Sequence, residues 1–482
     1  MANQTDQNGL ERYLSPLAVW ALSFGCAVGW GSFVMPGTTF LPKAGPAGTA
    51  AGILAGALVM FVIGVNYHYL MNKYPDSGGT LTYSIKAFGY DHGFLSSWFL
   101  ILVYVAIMWA NATALPLIGR NLLGDTFLFG FHYTILGYDV YFGEILLSVS
   151  AIVICGLVCI LGKHIATGLQ ILFALLLLGG VMIAAVAVFG KGSVDFSSFS
   201  PAFVPGGKAP LRQIFTIVAL SPWAFVGFES VSNSTASFRF STKKTLAVLT
   251  VSLVTGTFVY ITLALMAALA LPEGCSSWTE YIGNLGSFTA LQGLPTFYMI
   301  YKAMGNIGVF ILGLAAMGGI LTGLIGNFIA GSHLIHAMAG EGILPGWFGR
   351  LNRDSAHRNA LLFLSGISLF IPFLGRTATG WIVDVNTVGA IVAYAYSSAA
   401  ALYFARKEGK RGVQVTGIAG LAMSVVFFFY FMSWSAGAMS TESYLILVTW
   451  SILGFLYFLC VFAKDTKKRF GKSTVVWLAS FS

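Results

Sequence analysis

Charge is the first thing this sequence lacks. Asp, Glu, Lys and Arg supply 9% of its 482 residues, against roughly 25% in an ordinary soluble chain. With 57% of the residues apolar, no soluble fold of this length hides enough apolar surface, and lipid must be the solvent. Cysteine is sparse too. The five residues Cys26, Cys155, Cys159, Cys275 and Cys460 stand singly, without the paired spacing of a zinc or redox motif, and read as core packing. No nucleophile–base pair, phosphate-cradling loop or metal-ligand spacing is present. The Gly29-x-Gly31 pattern does not follow a strand, so it gives no support for a dinucleotide site. Neither an enzyme nor a cofactor or metal site is expected. The formal charge of +9 is spread between apolar runs instead of gathered on one face or tail, which argues against a nucleic-acid partner.

What is present is a succession of apolar runs long enough to cross the hydrocarbon core, which takes about 20 residues per helix. They fall near 15–41, 47–71, 93–119, 141–161, 165–190, 212–236, 245–271, 303–333, 359–375, 379–405, 413–433 and 443–464. This predicts an all-α polytopic membrane protein of about twelve transmembrane helices. The first run is long, contains Trp20 and Trp30 and lacks a small-residue cleavage site, so it is read as a span and not as a cleavable signal sequence. A single transmembrane domain over 15–464 is expected, preceded by a cytoplasmic segment 1–14 and followed by a basic cytoplasmic tail 465–482. Loops on the N-terminal side hold most of the 26 basic residues, among them Lys73, Lys163, Lys243, Lys244, Arg406, Lys407 and the stretch Lys464 to Lys472. The other side holds Lys43, Arg120, Lys191, Lys208, Arg212, Lys302 and Arg376. Cytoplasmic loops carry the Lys/Arg excess, so both termini are expected in the cytoplasm of a multi-pass protein of the cell membrane. The longer segments on the outer side, near 120–140, 190–211 and 272–302, are expected to hold short surface helices.

Two of the spans are poor candidates for continuous helices. The first contains Gly29-Trp30-Gly31-Ser32-Phe33-Val34-Met35-Pro36-Gly37, and the sixth contains Ser221-Pro222-Trp223-Ala224-Phe225-Val226-Gly227-Phe228-Glu229-Ser230. Glycine raises the entropic cost of helix, and Pro36 and Pro222 each remove a backbone donor. Broken backbone at membrane depth is tolerated only where protein buries it or it lines a cavity. Either stretch alone reads equally well as a glycine-rich, close-packed helix pair. Two breaks five spans apart are what a five-plus-five inverted repeat requires, with repeats at about 15–190 and 212–405 and appended helices at about 413–464. Half-helix N-termini suit a carboxylate, and unwound carbonyls suit an ammonium.

At these residues the chain resembles the amino acid/polyamine/organocation superfamily of transporters. Gly29-Trp30-Gly31, Phe33 and Pro36 match its first-span signature, and Trp223, Phe225 and Gly227-Phe228-Glu229 its sixth. Tyr74-Pro75-Asp76-Ser77-Gly78-Gly79 with Tyr83, Lys86, Ala87 and Gly89 looks like the loop after the second span. Ala337-Met338-Ala339-Gly340-Glu341-Gly342-Ile343-Leu344-Pro345 looks like the motif after the eighth. The resemblance runs from about residue 15 to 464. It implies alternating access in the fold typified by sodium-coupled neurotransmitter transporters, with two helices added after the tenth. It also implies a substrate held by Gly29, Trp30, Gly31, Ser32, Phe33, Trp223, Ala224, Phe225 and Gly227, with Trp223 closing over it from outside. Three departures stand out. Trp30 replaces a small residue, His333 stands where Arg is usual, and Ile171 to Leu178 on the fifth span has no place for the buried Lys of some proton-coupled and exchanging members.

Among polar residues inside the spans, Glu229 is the clearest functional candidate, because a carboxylate there costs roughly 2.5–3.5 kcal/mol on insertion scales. Gating, proton coupling or bracing of the break are its candidate roles. Asp384 reads as an interface acid, His68 as a helix–helix hydrogen-bonding group, and Asn111 as a possible pocket residue. Asn327, beside Gly326, reads as packing. The expected function is a secondary transporter, symporter or exchanger, for an amino acid or related amine. The coupling ion and the oligomeric state are left open. The rivals are a transporter-fold receptor signalling through a C-terminal partner, kept alive by the basic stretch Lys464 to Lys472, and a channel, disfavoured because no charged ring lines a span.

Overall fold

The computed structural model describes residues 12–135, 137–190, 196–206, 209–352, 356–375, 378–432 and 439–462. Residues 1–11 of the expected N-terminal segment and the whole of the basic tail lie outside these. Among the described residues nine helices are long and apolar enough to cross a membrane. The first of them, Gly31–Lys73, joins the end of one expected span to the whole of the next. The join is at Gly45 (φ 65°), followed by Pro46. That left-handed backbone is cheap only for glycine, and the proline removes the next helical donor. Pro16–Ala27 and Arg358–Leu374 are shorter apolar helices, and the sixth span is divided between Pro210–Ala219, Ser221–Ala224 and a 3-10 segment Phe228–Ser237. Together these give the all-α polytopic architecture that the apolar runs predict.

The third span, Tyr90–Leu123, is at the centre: 78% of its apolar window is buried inside the protein, against 6% for the last helix, Thr441–Tyr457. Exposed Phe429, Leu453 and Phe455 on the last two spans present the outer surface to lipid. The eighth helix, Pro295–Gly340, has 46 residues, about twice the length a 30 Å hydrocarbon core needs at 1.5 Å per residue. A left-handed Gly305 (φ 64°) splits off its first leg. That leg is tied to the first span by Thr296, whose Oγ1 donates to the Phe33 carbonyl at 2.8 Å.

The loops define two faces. On one, the start of the first span is stitched to the end of the sixth: the amides of Tyr13 and Leu14 donate to the Ser237 carbonyl (2.9 and 3.0 Å), and Arg239 N–H donates to the Leu14 carbonyl (2.9 Å). This is the terminal face. The opposite face carries a departure from expectation. Near 120–140, where short surface helices were expected, a single 3-10 turn, Gly124–Phe127, is followed by His132–Ile135 pairing antiparallel with Tyr138–Tyr141 as a β-hairpin. Aromatic and β-branched residues on either side of a left-handed Gly137 (φ 81°) favour a hairpin over a helix. Arg120 anchors it, pairing with Glu144 (Nε to Oε1 2.5 Å) and donating to the Asp139 carbonyl. The segment near 272–302 does hold a short helix, Trp278–Gly283, capped by Ser277.

Candidate functional site

The first span stops at Ala27. Val28 is extended (φ −111°, ψ 96°), and helix resumes at Gly31–Met35 before a π-turn Pro36–Phe40. Among the described residues the amides of Gly29 and Trp30 find no backbone acceptor. The glycines are needed for proximity. A Cβ on Gly29 would lie 2.6 Å from Asn111 Oδ1, and one on Gly31 2.5 Å from Trp223 Cη2. In the sixth span Gly227 is left-handed (φ 100°), and a Cβ there would lie 2.7 Å from that of Cys26. The two breaks therefore sit back to back, Gly227 on Cys26 and Trp223 on Gly31.

Between them is a pocket of about 30 Å³ lined by Cys26, Ala27, Gly29, Trp30, Gly31, Ile107, Ala110, Asn111, Trp223, Val226, Tyr260 and Asn386. That is room for a water-sized group, not for an amino acid, so the site is closed down. Trp30 is also in the wall of a second, larger cavity of about 390 Å³ lined by Met35, Thr38, Thr39, Lys43, Thr113, Thr216, Thr379, Asp384 and Tyr430 among others. Exposed Thr38 and Lys43 mark its outer end. The indole of Trp30 thus partitions a vestibule on the hairpin face from the central pocket.

Toward the terminal face the way is sealed. Gly227 N–H donates to Glu229 Oε2 at 2.8 Å, and the Tyr394 hydroxyl donates to the same oxygen at 3.1 Å. Glu229 is 1% exposed, and its Oε1 has no partner among the described residues. The rings of Tyr67, Phe228 and Tyr394 pack within 6.5 Å of one another. Tyr67 continues to Thr80 (3.0 Å) and Thr80 to Ser397 (3.1 Å), while Asn233 Nδ2 donates to the Tyr104 hydroxyl (2.8 Å). At the bottom His333 Nδ1 lies 2.9 Å from Ser234 Oγ, and its ring meets that of His357 with centroids 4.7 Å apart. The ring of His336 also packs against His357, with centroids 4.4 Å apart. Burial, with His333, His336 and Lys163 nearby, holds the imidazole of His357 well below its usual range.

Of the residues singled out by sequence, Gly29, Trp30, Gly31, Asn111 and Trp223 meet at the pocket. The others stand behind its wall. Ser32 turns its hydroxyl back onto the Gly29 carbonyl (2.9 Å), and Phe33 packs near Phe297. Ala224 is buried, Phe225 lies against Tyr260, and Gly227 bears on Cys26. Helix restarts at Gly31, and the 3.6-residue period then carries the next side chains off the pocket face. Tyr260 and Asn386 also line the pocket, though neither is among the residues the sequence pointed to. Asn386 carried the same signal as Asn111, a carboxamide inside an apolar span, whereas Tyr260 is one aromatic among many. His68 bridges helices as expected, through Thr245 Oγ1 at 2.7 Å. Asp384 accepts from Ser443 Oγ at 2.7 Å and holds the start of the last span. Asn327 donates to the Gly323 carbonyl of its own helix. Gln170, just before the apolar stretch of the fifth span, donates to the Ala21 carbonyl of the first (3.2 Å).

A sequence profile described as amino acid permease matches residues 14–438. The chain belongs to the amino acid permease family. The permease is similar to the methylthioribose transporter of Bacillus subtilis, with 25% identity over 412 residues that cover 85% of this chain and 84% of the relative. It is 26% identical over 453 residues to the aspartate-proton symporter of the same organism, covering 89% and 79%. With a branched-chain amino acid permease of Lactococcus lactis it shares 22% over 403 residues, covering 81% of each.

Proposed function

We propose that the permease is a secondary carrier that moves an amino acid or related amine across the cell membrane by alternating access. The observation that carries this reading is the pair of broken spans set back to back around a closed pocket, with a vestibule on one side and a packed polar seal on the other. A continuous pore would need no such partition, and a carrier needs both gates. The unpaired amides of Gly29 and Trp30 suit a carboxylate, because backbone N–H groups at a helix start carry partial positive charge. The domain is one unit over 15–464, two inverted repeats plus two appended helices. The Lys/Arg excess in the loops on the terminal side, among them Lys73, Lys163, Lys243, Lys244, Arg406 and Lys407, supports a cytoplasmic terminal face and an external hairpin face.

Glu229 is assigned the coupling role. Its Oε2 braces the break while Oε1 stays unengaged, so the carboxyl has a free oxygen at which to take a proton without surrendering the brace. The test of the carrier reading is uptake into vesicles containing purified protein. Saturable uptake of an amino acid is expected, and Gly31→Leu, whose side chain would collide with Trp223, is expected to lower it more than about tenfold while size-exclusion behaviour is kept. Uptake that does not saturate, or that survives Gly31→Leu unchanged, overturns the reading.

A further inference from the structure

The central pocket is neutral, and its polar content is unusual. No Asp, Glu, Lys, Arg or His lines it. Beside the Tyr260 hydroxyl and the indoles of Trp30 and Trp223, its polar side chains are two carboxamides, from Asn111 on the third span and Asn386 on the tenth, each 2% exposed. Asn111 spends its Nδ2 on the Ile107 carbonyl one turn back (2.9 Å), which turns Oδ1 toward the break at Gly29. That oxygen has no hydrogen-bond partner among the described residues, and neither has Oδ1 of Asn386. Buried polar atoms are almost always satisfied, and two orphaned acceptors on different spans in the wall of one pocket call for a specific reason.

We propose that Asn111 and Asn386 are specificity-determining residues that select α-amino acids with a short, uncharged side chain carrying a hydrogen-bond donor, a hydroxyl or a carboxamide. The proposal rests on the carrier reading above and names its substrate class. The carboxylate of the substrate meets the free amides of the first-span break, its α-ammonium the unwound carbonyls of the two breaks, and its side-chain O–H or N–H donates to the two waiting oxygens. Other side chains are rejected for distinct reasons. A carboxylate side chain meets acceptors and no cation. An ammonium or guanidinium finds acceptors but no counter-charge, and a buried charge without a partner is the most costly group to place. A branched aliphatic side chain fits but leaves both oxygens unpaired, and a site built to hydrogen-bond its substrate discriminates strongly against an analogue that cannot. Trp30 supplies the room: swung toward the vestibule, it opens a pocket now large enough only for a water-sized group.

The test is uptake by wild-type permease in vesicles, comparing kcat/KM for L-serine, L-threonine, L-asparagine and L-glutamine with L-leucine, L-aspartate and L-arginine. At least one of the first four is expected to exceed each of the last three by about tenfold or more. In Asn386→Leu and Asn111→Leu the advantage over L-leucine is expected to shrink at least fivefold, and Asn386→Asp is expected to bring L-arginine into competition. Ligand-induced thermal stabilisation of each purified variant repeats the ranking without transport, and the wild-type ranking alone decides the matter where a variant fails to fold. A wild type that prefers leucine, aspartate or arginine overturns the assignment, as do Asn variants with the wild-type ranking. Saturable uptake with the wrong ranking sinks only this assignment. Absence of any saturable uptake sinks the carrier reading with it.

Discussion

At Gly227 the chain turns left-handed, and its N–H, out of reach of any helical carbonyl, is taken by Glu229, which holds the Tyr394 hydroxyl with the same oxygen. Replacing Glu229 separates bracing from charge. Glu229→Leu strands two buried donors, at roughly 1–3 kcal/mol each, and a lowered apparent Tm with loss of uptake is expected. Glu229→Gln keeps an acceptor for both but takes up no proton. Its uptake is expected to run at the same rate with and without an imposed proton gradient, while exchange of internal for external substrate persists. Stimulation by the gradient in Glu229→Gln removes the coupling role. Glu229 was conspicuous in the sequence because a carboxylate inside an apolar run needs a reason. Gly29 and Gly31 were conspicuous as helix breakers, yet the structure gives them a different necessity, the approach of Asn111 and Trp223 to their α-carbons. No one-dimensional pattern carries that information.

Among the elements, most spans were legible to within a few residues because apolar length is set by bilayer thickness; the eighth, read as 303–333, runs Pro295–Gly340. The breaks were legible because Gly and Pro mark them. The second half of the sixth span was read as helix and is 3-10 from Phe228 to Ser237. Its run of Ser, Asn and Thr offers side-chain partners that compete with the helical ladder, a signal present in the sequence but outweighed there by span length. The hairpin at His132–Tyr141 was missed because ten residues of aromatic and β-branched character in an outer loop carry no apolar face to reveal their period. Of the three imidazoles between the eighth span and the start of the ninth, only His333 stood out in the sequence, as an oddity in an Arg position, and their meeting depends on tertiary packing. That meeting has a sign. His357 is held neutral, below the roughly 6.5 of a free imidazole, so below that pH the unfolded chain binds a proton the folded one refuses. Stability then falls with pH, by up to about 1.4 kcal/mol per unit. Between pH 7.5 and 5.5 the apparent Tm of solubilised wild type is expected to drop more than that of His357→Gln. Equal drops exclude His357 as the origin.

For the molecule as a whole, the vestibule reaches Trp30 from the hairpin side, whereas the small cavity of about 40 Å³ beside Tyr13, Ser237 and His333 on the terminal side stops short of it. With Cys275 and Cys460 replaced by Ser, Thr38→Cys and Thr379→Cys are expected to react with an impermeant maleimide added outside cells, and Ser237→Cys is not. The reverse pattern inverts the orientation. The way the two ends are joined on the terminal face limits how that face can open. Since Tyr13 and Leu14 share the Ser237 carbonyl and Arg239 returns to Leu14, the leading end of one span and the trailing end of the other are a single stitched body. The door on that face therefore has one leaf, not two, and it swings on whatever yields at Gly29 and Gly227.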